Sequence, residues 1–144
     1  MATDFLARCD VIEECYEFLL GYAAQGLLSD ESNAVGREVR RHLERAREAL
    51  IDLAESCRRA VADHQLEPVQ KPELVQKYDA FCSMLERDAS DSLAAIDLVL
   101  AQPGLSSQLI DNLNASSHLR ALLTDLFLVG EILRAHDRVA PAAD

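Results

Sequence analysis

The stretch LLTDLFLVGEIL, from Leu122 to Leu133, decides the fold because its apolar side chains cannot all face one neighbour. In a helix, which turns by about 100° per residue, these side chains point almost all the way round the axis. Only a Thr-Asp pair and a Gly-Glu pair interrupt them. A surface helix needs a single apolar stripe. The surplus therefore predicts either a pocket or a contact with another chain.

The composition of the chain predicts an all-α protein. Of the 144 residues, 49% are hydrophobic and 27% are charged, as in folded domains. The chain has only five glycines and four prolines, while the strong helix formers Ala, Leu, Glu and Arg are abundant. No run of alternating β-branched residues bounded by turn signals indicates a strand.

The charge and the apolar segments restrict the partners and the location. A formal net charge of −11 argues against binding to nucleic acid or to an anionic membrane, because both attract basic proteins. No apolar segment reaches the roughly 18 to 20 residues that span a bilayer, and the opening MATDFLARCD has no basic region followed by an apolar one, as a signal peptide would. These features predict a cytoplasmic protein whose cysteines are reduced.

Hydrophobic periodicity and turn signals predict four helices. Gly26 is suited to the left-handed position after the first helix, and Pro72 to the first turn of the third. Residues that compete for backbone hydrogen bonds predict a break near residues 114–117 in the fourth helix. The predicted helices run from Thr3 or Asp4 to the Gly26 turn, from a Ser29 or Asp30 cap to about His64, from Pro72 to about Gln102, and from Ser106 or Ser107 to about Arg138.

Four helices with short connections fold most simply as an antiparallel up-down-up-down bundle. The expected organisation is one domain over residues 1–139 and a flexible C-terminal tail over residues 140–144. At about 1.5 Å per residue the first helix would be about 33 Å long and the others about 45 to 50 Å. The first helix should therefore leave one end of the bundle without a complete fourth wall.

The residues expected at that open end are the candidate binding site. They come from the second half of the second helix, the start of the third and the end of the fourth: Cys57, Tyr78, Phe81, Cys82, Leu126, Phe127, Val129, Leu133 and His136. We expect an apolar groove there that captures an amphipathic helix of a partner protein, in a regulator or adaptor that is itself a homodimer. The alternative is a small-molecule sensor with a pocket formed by Cys57, Cys82, Tyr78 and His136.

No motif indicates catalysis, a metal or a cofactor. A di-iron bundle needs Glu-x-x-His pairs, and a zinc site commonly uses Cys-x-x-Cys; neither occurs in the chain. The glycine-rich phosphate-binding signatures are also absent. Cys57 and Cys82 should lie at similar heights on adjacent antiparallel helices and close together, although a buried free cysteine is ordinarily an apolar filler. The sequence thus predicts a protein that is not an enzyme and holds no metal or cofactor.

Overall fold

The computed structural model describes residues 2–31, 34–64 and 72–139, and the described residues form α-helices without any strand. The predicted all-α class is confirmed. The helices are α1 (Ala2–Ala23), α2 (Ala34–Leu50), α3 (Leu53–Asp63), α4 (Pro72–Leu100), α5 (Ser107–Ala115) and α6 (Ser117–Val139). The tail predicted over residues 140–144 lies outside the described residues.

The second predicted helix, expected to run unbroken to about His64, is instead divided by a break between α2 and α3. Asp52 adopts a left-handed backbone conformation, with φ 61°. Arg8 of α1 donates hydrogen bonds from Nη1 to the carbonyl oxygens of Ala49, at 3.2 Å, and Ile51, at 2.6 Å. These bonds satisfy carbonyl groups that the end of a helix leaves unpaired. Because the partner comes from another helix, and neither Gly nor Pro marks the site, no local signal reveals this break.

The second break confirms the prediction for residues 114–117. Helix α5 ends at Ala115, Ser116 has an extended backbone, and α6 begins at Ser117. The Ser116 hydroxyl accepts a hydrogen bond from the Leu119 N–H at 3.4 Å, as a helix N-cap does. The break shortens α6 to 23 residues, close to the 22 of α1, so α1 is clearly shorter only than α4, which has 29.

The predicted cap at Ser29 or Asp30 is also wrong, because α2 begins at Ala34. The buried Asp30 carboxylate instead accepts hydrogen bonds from Arg40 Nε at 2.6 Å and from the Leu105 N–H at 2.7 Å. Although burial opposes the effect, these bonds hold the pKa of Asp30 below its ordinary value. Asp30 therefore joins the loop after α1 to the loop before α5.

The turn after α1 follows the sequence prediction. Gly26 has φ 66°, which is the left-handed conformation expected there. The Tyr22 hydroxyl donates to the Leu105 carbonyl oxygen at 2.6 Å, and Leu27 exchanges two hydrogen bonds with Ser107. The end of α1 is thereby fastened to the start of α5.

Helices α1 and α4 each contact the same four other helices, α2, α3, α5 and α6. The ion pairs Arg47–Asp97 and Arg58–Glu86 show that α2 and α3 both run opposite to α4. The largest fully buried side chains are Phe5, Leu19, Tyr22, Leu43, Leu53, Leu85, Ile96, Leu105, Ile110, Leu122, Leu126 and Leu133. Within the described ranges, none of the helices has the length and apolar content needed to cross a bilayer.

Gly36, near the start of α2, allows the chain to pass close to Asp30. A Cβ atom at position 36 would overlap the backbone carbonyl of Asp30, and backbone atoms cannot move aside as a flexible side chain does. We therefore expect Gly36→Ala to lower the free energy of unfolding by about 1–3 kcal/mol in urea titrations. The matched control is Gly21→Ala in α1, where a Cβ meets nothing within 4 Å.

In the control, we expect the free energy of unfolding to rise by about 0.5–1 kcal/mol, since alanine is the better helix former. Equal stability of Gly36→Ala and the unaltered protein would contradict the close approach at Asp30.

Candidate functional site

A hollow of about 270 Å³ opens on the surface between α4 and α6. Its walls are apolar except for the ammonium group of Lys77 and the hydroxyl group of Tyr78. We call this feature the α4–α6 groove; it is lined by Leu74, Lys77, Tyr78, Phe81, Val129 and Ile132.

Three of the sequence-predicted residues line the groove. Tyr78 and Phe81 are half-buried on α4, and Val129 is almost fully buried at the base. Burial raises the pKa of the Tyr78 phenol above its ordinary value. Tyr78 is therefore neutral at neutral pH, and its hydroxyl group can donate or accept a hydrogen bond.

Four other predicted residues form the core. Cys57, Cys82, Leu126 and Leu133 are each exposed by 2% or less. They lie in the interior of the protein, and a molecule bound at the surface would not touch them. These buried side chains are needed for packing between the helices.

Phe127 is exposed by 55%, but it lies on a different side of α6 from the groove. It precedes Ile132 by five residues, which corresponds to about 140° around the helix axis. Leu128, in contrast, precedes Ile132 by one helical turn and shares its outer face. Leu128 and Ile132 are exposed by 53% and 45%, so the apolar surface extends beyond the groove along α6.

His136 lies at the end of α6, beside the end of α3. Its ring centroid is 5.8 Å from that of His64, and the two planes are inclined at 55°. His64 Nε2 is 2.9 Å from the Asp137 carboxylate oxygen Oδ1, an ion pair when the imidazole is protonated. His136 thus belongs to a polar cluster of its own, outside the residues that line the groove.

The predicted proximity of Cys57 and Cys82 is confirmed. Their Sγ atoms are 3.9 Å apart, and both thiols are free and buried. The hydrogen bond between them, followed by burial, raises the pKa of Cys57. The same bond, helped by the Arg58 guanidinium, lowers the pKa of Cys82.

The candidate site predicted from the sequence leaves out three groove residues, Leu74, Lys77 and Ile132. Leu74 and Phe81 are seven residues apart, with Lys77 and Tyr78 between them, which places all four on one side of α4. That spacing was visible in the sequence. Ile132 could not be chosen over Phe127 in the same way, because the outward side of α6 depends on where α1 and α4 pack.

A carboxyl pair, the partly buried Asp88 and the buried Asp125, lies along the same seam between α4 and α6. Asp88 follows Phe81 by about two turns, and Asp125 precedes Val129 by about one. Asp125 is exposed by only 4%, and its Oδ2 has no hydrogen-bond partner among the described residues. Burial raises the pKa of Asp125 to about 7, and hydrogen bonding and charge repulsion from Asp88 add to the increase.

Within residues 2–31, 34–64 and 72–139, no group of three or more His, Cys, Asp or Glu side chains could hold a metal ion. Comparison of the chain with protein-family models, with curated proteins and with solved structures finds no match.

The raised pKa of Asp125 predicts a pH-dependent stability. Because the folded protein holds this proton up to about pH 7 and the unfolded chain releases it near 3.8, unfolding releases a proton between these values. The contribution of Asp125 to stability is complete below the pKa that this residue has in the unfolded chain. It is lost as the pH rises through about 7. The slope is at most about 1.4 kcal/mol per pH unit.

Asp125→Asn should remove this component and make the protein more stable than the unaltered chain at pH 8. The measurement is urea unfolding from pH 5 to 8, with the exposed Asp111→Asn on α5 as the control. The same pH profile in Asp125→Asn and the unaltered protein would show that Asp125 does not hold the proton.

Proposed function

We propose that this protein is a cytoplasmic regulator or adaptor, not an enzyme, whose α4–α6 groove captures an amphipathic helix of a partner protein. The observation that carries the proposal is an open apolar hollow with Ile132 exposed on its wall and Leu128 exposed one turn away. Apolar anchors one helical turn apart suit a helix laid into a groove. The free thiols of the four buried cysteines suit a reducing compartment.

We further propose that the described helices form one four-walled antiparallel bundle. In this arrangement the consecutive helices α2 and α3 together form one wall of the bundle, despite the break between them. Helices α5 and α6 together form another. The contacts of α1 with both α2 and α3 support the first wall, and those of α4 with both α5 and α6 support the second. A continuous wall would keep the two sides of the groove in a fixed relation for partner binding.

The size and openness of the groove favour a partner helix over a small ligand. Sites that enclose small molecules usually have volumes of about 300–1,000 Å³ and surround most of the ligand. The groove is slightly smaller, at about 270 Å³, and is open on one side. The alternative function, a small-molecule sensor, rested on Cys57, Cys82, Tyr78 and His136, of which only Tyr78 lines the hollow.

The test uses helical peptides of about 16 residues, long enough for about four turns. A displayed peptide library is selected on the unaltered protein, and the best binders are then measured by titration against Ile132→Glu. We expect selected sequences with apolar residues at helical spacing and an affinity loss of about tenfold or more in the variant, because a buried charge would replace an apolar anchor. Leu98→Glu, at an exposed leucine near the other end of α4, is the matched control.

Three outcomes would count against the groove. They are the absence of any selected helical peptide, equal weakening by both substitutions, and a tightly retained small molecule in native mass spectrometry of the unaltered protein. The last result would favour the sensor.

Self-association is the second part of the proposal. Phe127, Leu128 and Ile132 expose apolar area on α6 that a second copy of the chain would cover, and two-fold dimers are the commonest oligomers. Light scattering after size-exclusion chromatography should give the mass of a dimer. Leu128→Glu should shift this mass to that of the 15.9 kDa chain, whereas Leu98→Glu should not. A monomeric unaltered protein would contradict this part of the proposal.

A further inference from the structure

The free thiols of Cys57 and Cys82 form a contact that the proposed function does not use. Cys57 lies on α3 and Cys82 on α4, and their Sγ atoms are 3.9 Å apart. A disulfide bond is about 2.05 Å long. Side-chain rotation together with a small movement of one helix must therefore bring the sulfur atoms closer by about 2 Å. We call this pair the α3–α4 dithiol.

Helix α3 is the element most able to supply that movement. It has only 11 residues, and it buries Leu53 together with small side chains: Ala54, Ser56, Cys57 and Ala60. Small side chains remove little apolar area from water, so they hold a helix weakly. Its first turn follows Asp52, whose left-handed backbone is unfavourable for a residue other than glycine. A small displacement of α3 should thus require less free energy than displacement of the longer helices, and it would admit a molecule as small as peroxide to both thiols while Cys57 and Arg58 stay beside Cys82.

The two thiols are not equivalent in reactivity. The thiolate is the nucleophilic form of cysteine. The hydrogen bond with Cys57 and the nearby Arg58 guanidinium lower the pKa of Cys82. Burial raises the pKa of Cys9 and of Cys15 to about 12. Cys82 is therefore the cysteine that reacts first, with Cys57 beside it to complete a disulfide.

We propose that Cys57 and Cys82 are a redox modification site that closes to a disulfide between α3 and α4 on reaction with hydrogen peroxide. The Cys82 thiolate attacks one peroxide oxygen and the O–O bond breaks. Cys82 becomes a sulfenic acid, and the departing hydroxide takes up a proton to give water. The Cys57 sulfur then attacks the Cys82 sulfur, and hydroxide leaves with the Cys57 proton as a second water. Two thiols are oxidised and one peroxide is reduced to two waters.

The experiment treats the native full-length protein with hydrogen peroxide, then unfolds it in an alkylating reagent and counts the remaining thiols. We expect the number of free thiols to fall from four to two, with the intact mass lower by two hydrogens before alkylation. Peptide mapping without reduction should join the peptide containing Cys57 to that containing Cys82. Because this mapping uses the unaltered chain, it does not depend on any variant folding.

The other two cysteines provide matched controls. Cys15→Ser and Cys9→Ser each remove a buried thiol of α1. Both variants should still form the disulfide. Cys82→Ser should retain its three free thiols, whereas Cys57→Ser should form no disulfide and should stop at the oxidised Cys82, whose sulfenic acid adds one oxygen to the mass. The inference is overturned if all four thiols of the unaltered protein survive, if Cys9 or Cys15 is in the bond, or if the bond forms only between chains. None of these results bears on peptide binding at the groove.

Discussion

Helix α6 carries more apolar side chains than its neighbours in the chain can cover, and this imbalance governs the rest of the molecule. Its inward stripe packs against α1 and α4 and includes Leu122, Leu126, Val129 and Leu133, all nearly inaccessible to water. A helix packed on two neighbours still has one side facing solvent. On α6 the surface that faces solvent holds Leu128 and Ile132 on one side and Phe127 further round the axis, where polar residues would ordinarily be found. The groove and the proposed self-association both follow from this exposed apolar side.

Helix α4 is the element on which the separate features converge. One of its sides, with Phe81 and Asp88, faces α6 and supplies both the groove wall and the carboxyl pair. Another side places Cys82 against Cys57 of α3. Because α4 is the longest helix and contacts α2, α3, α5 and α6, its packing holds these features in fixed relation. The proposed binding at its outer surface and the proposed oxidation at its inner surface would thus be chemically separate events on one helix.

Two charged residues show how contacts between distant segments determine the local backbone. Arg8 supplies donors to carbonyl groups at the end of α2, and Asp30 accepts bonds from the loop that precedes α5. Each interaction satisfies backbone groups that a regular helix would have paired internally. A continuous α2–α3 helix would have been locally acceptable, so the break at Asp52 depends on its tertiary partner, Arg8.

The amino-acid sequence determined the helical class, the glycine turn at Gly26, the start at Pro72 and the break at Ser116, because each depends on neighbours in the chain. It also placed Cys57 and Cys82 at matching heights, since helical rise is constant. The break at Asp52 and the side of α6 that faces water were decided only by the tertiary structure. Phe127 and Ile132 are both large apolar residues of α6, and the direction from which α4 packs decides which of them lines the groove. That direction is set by the combined packing of all the helices, which no local pattern encodes.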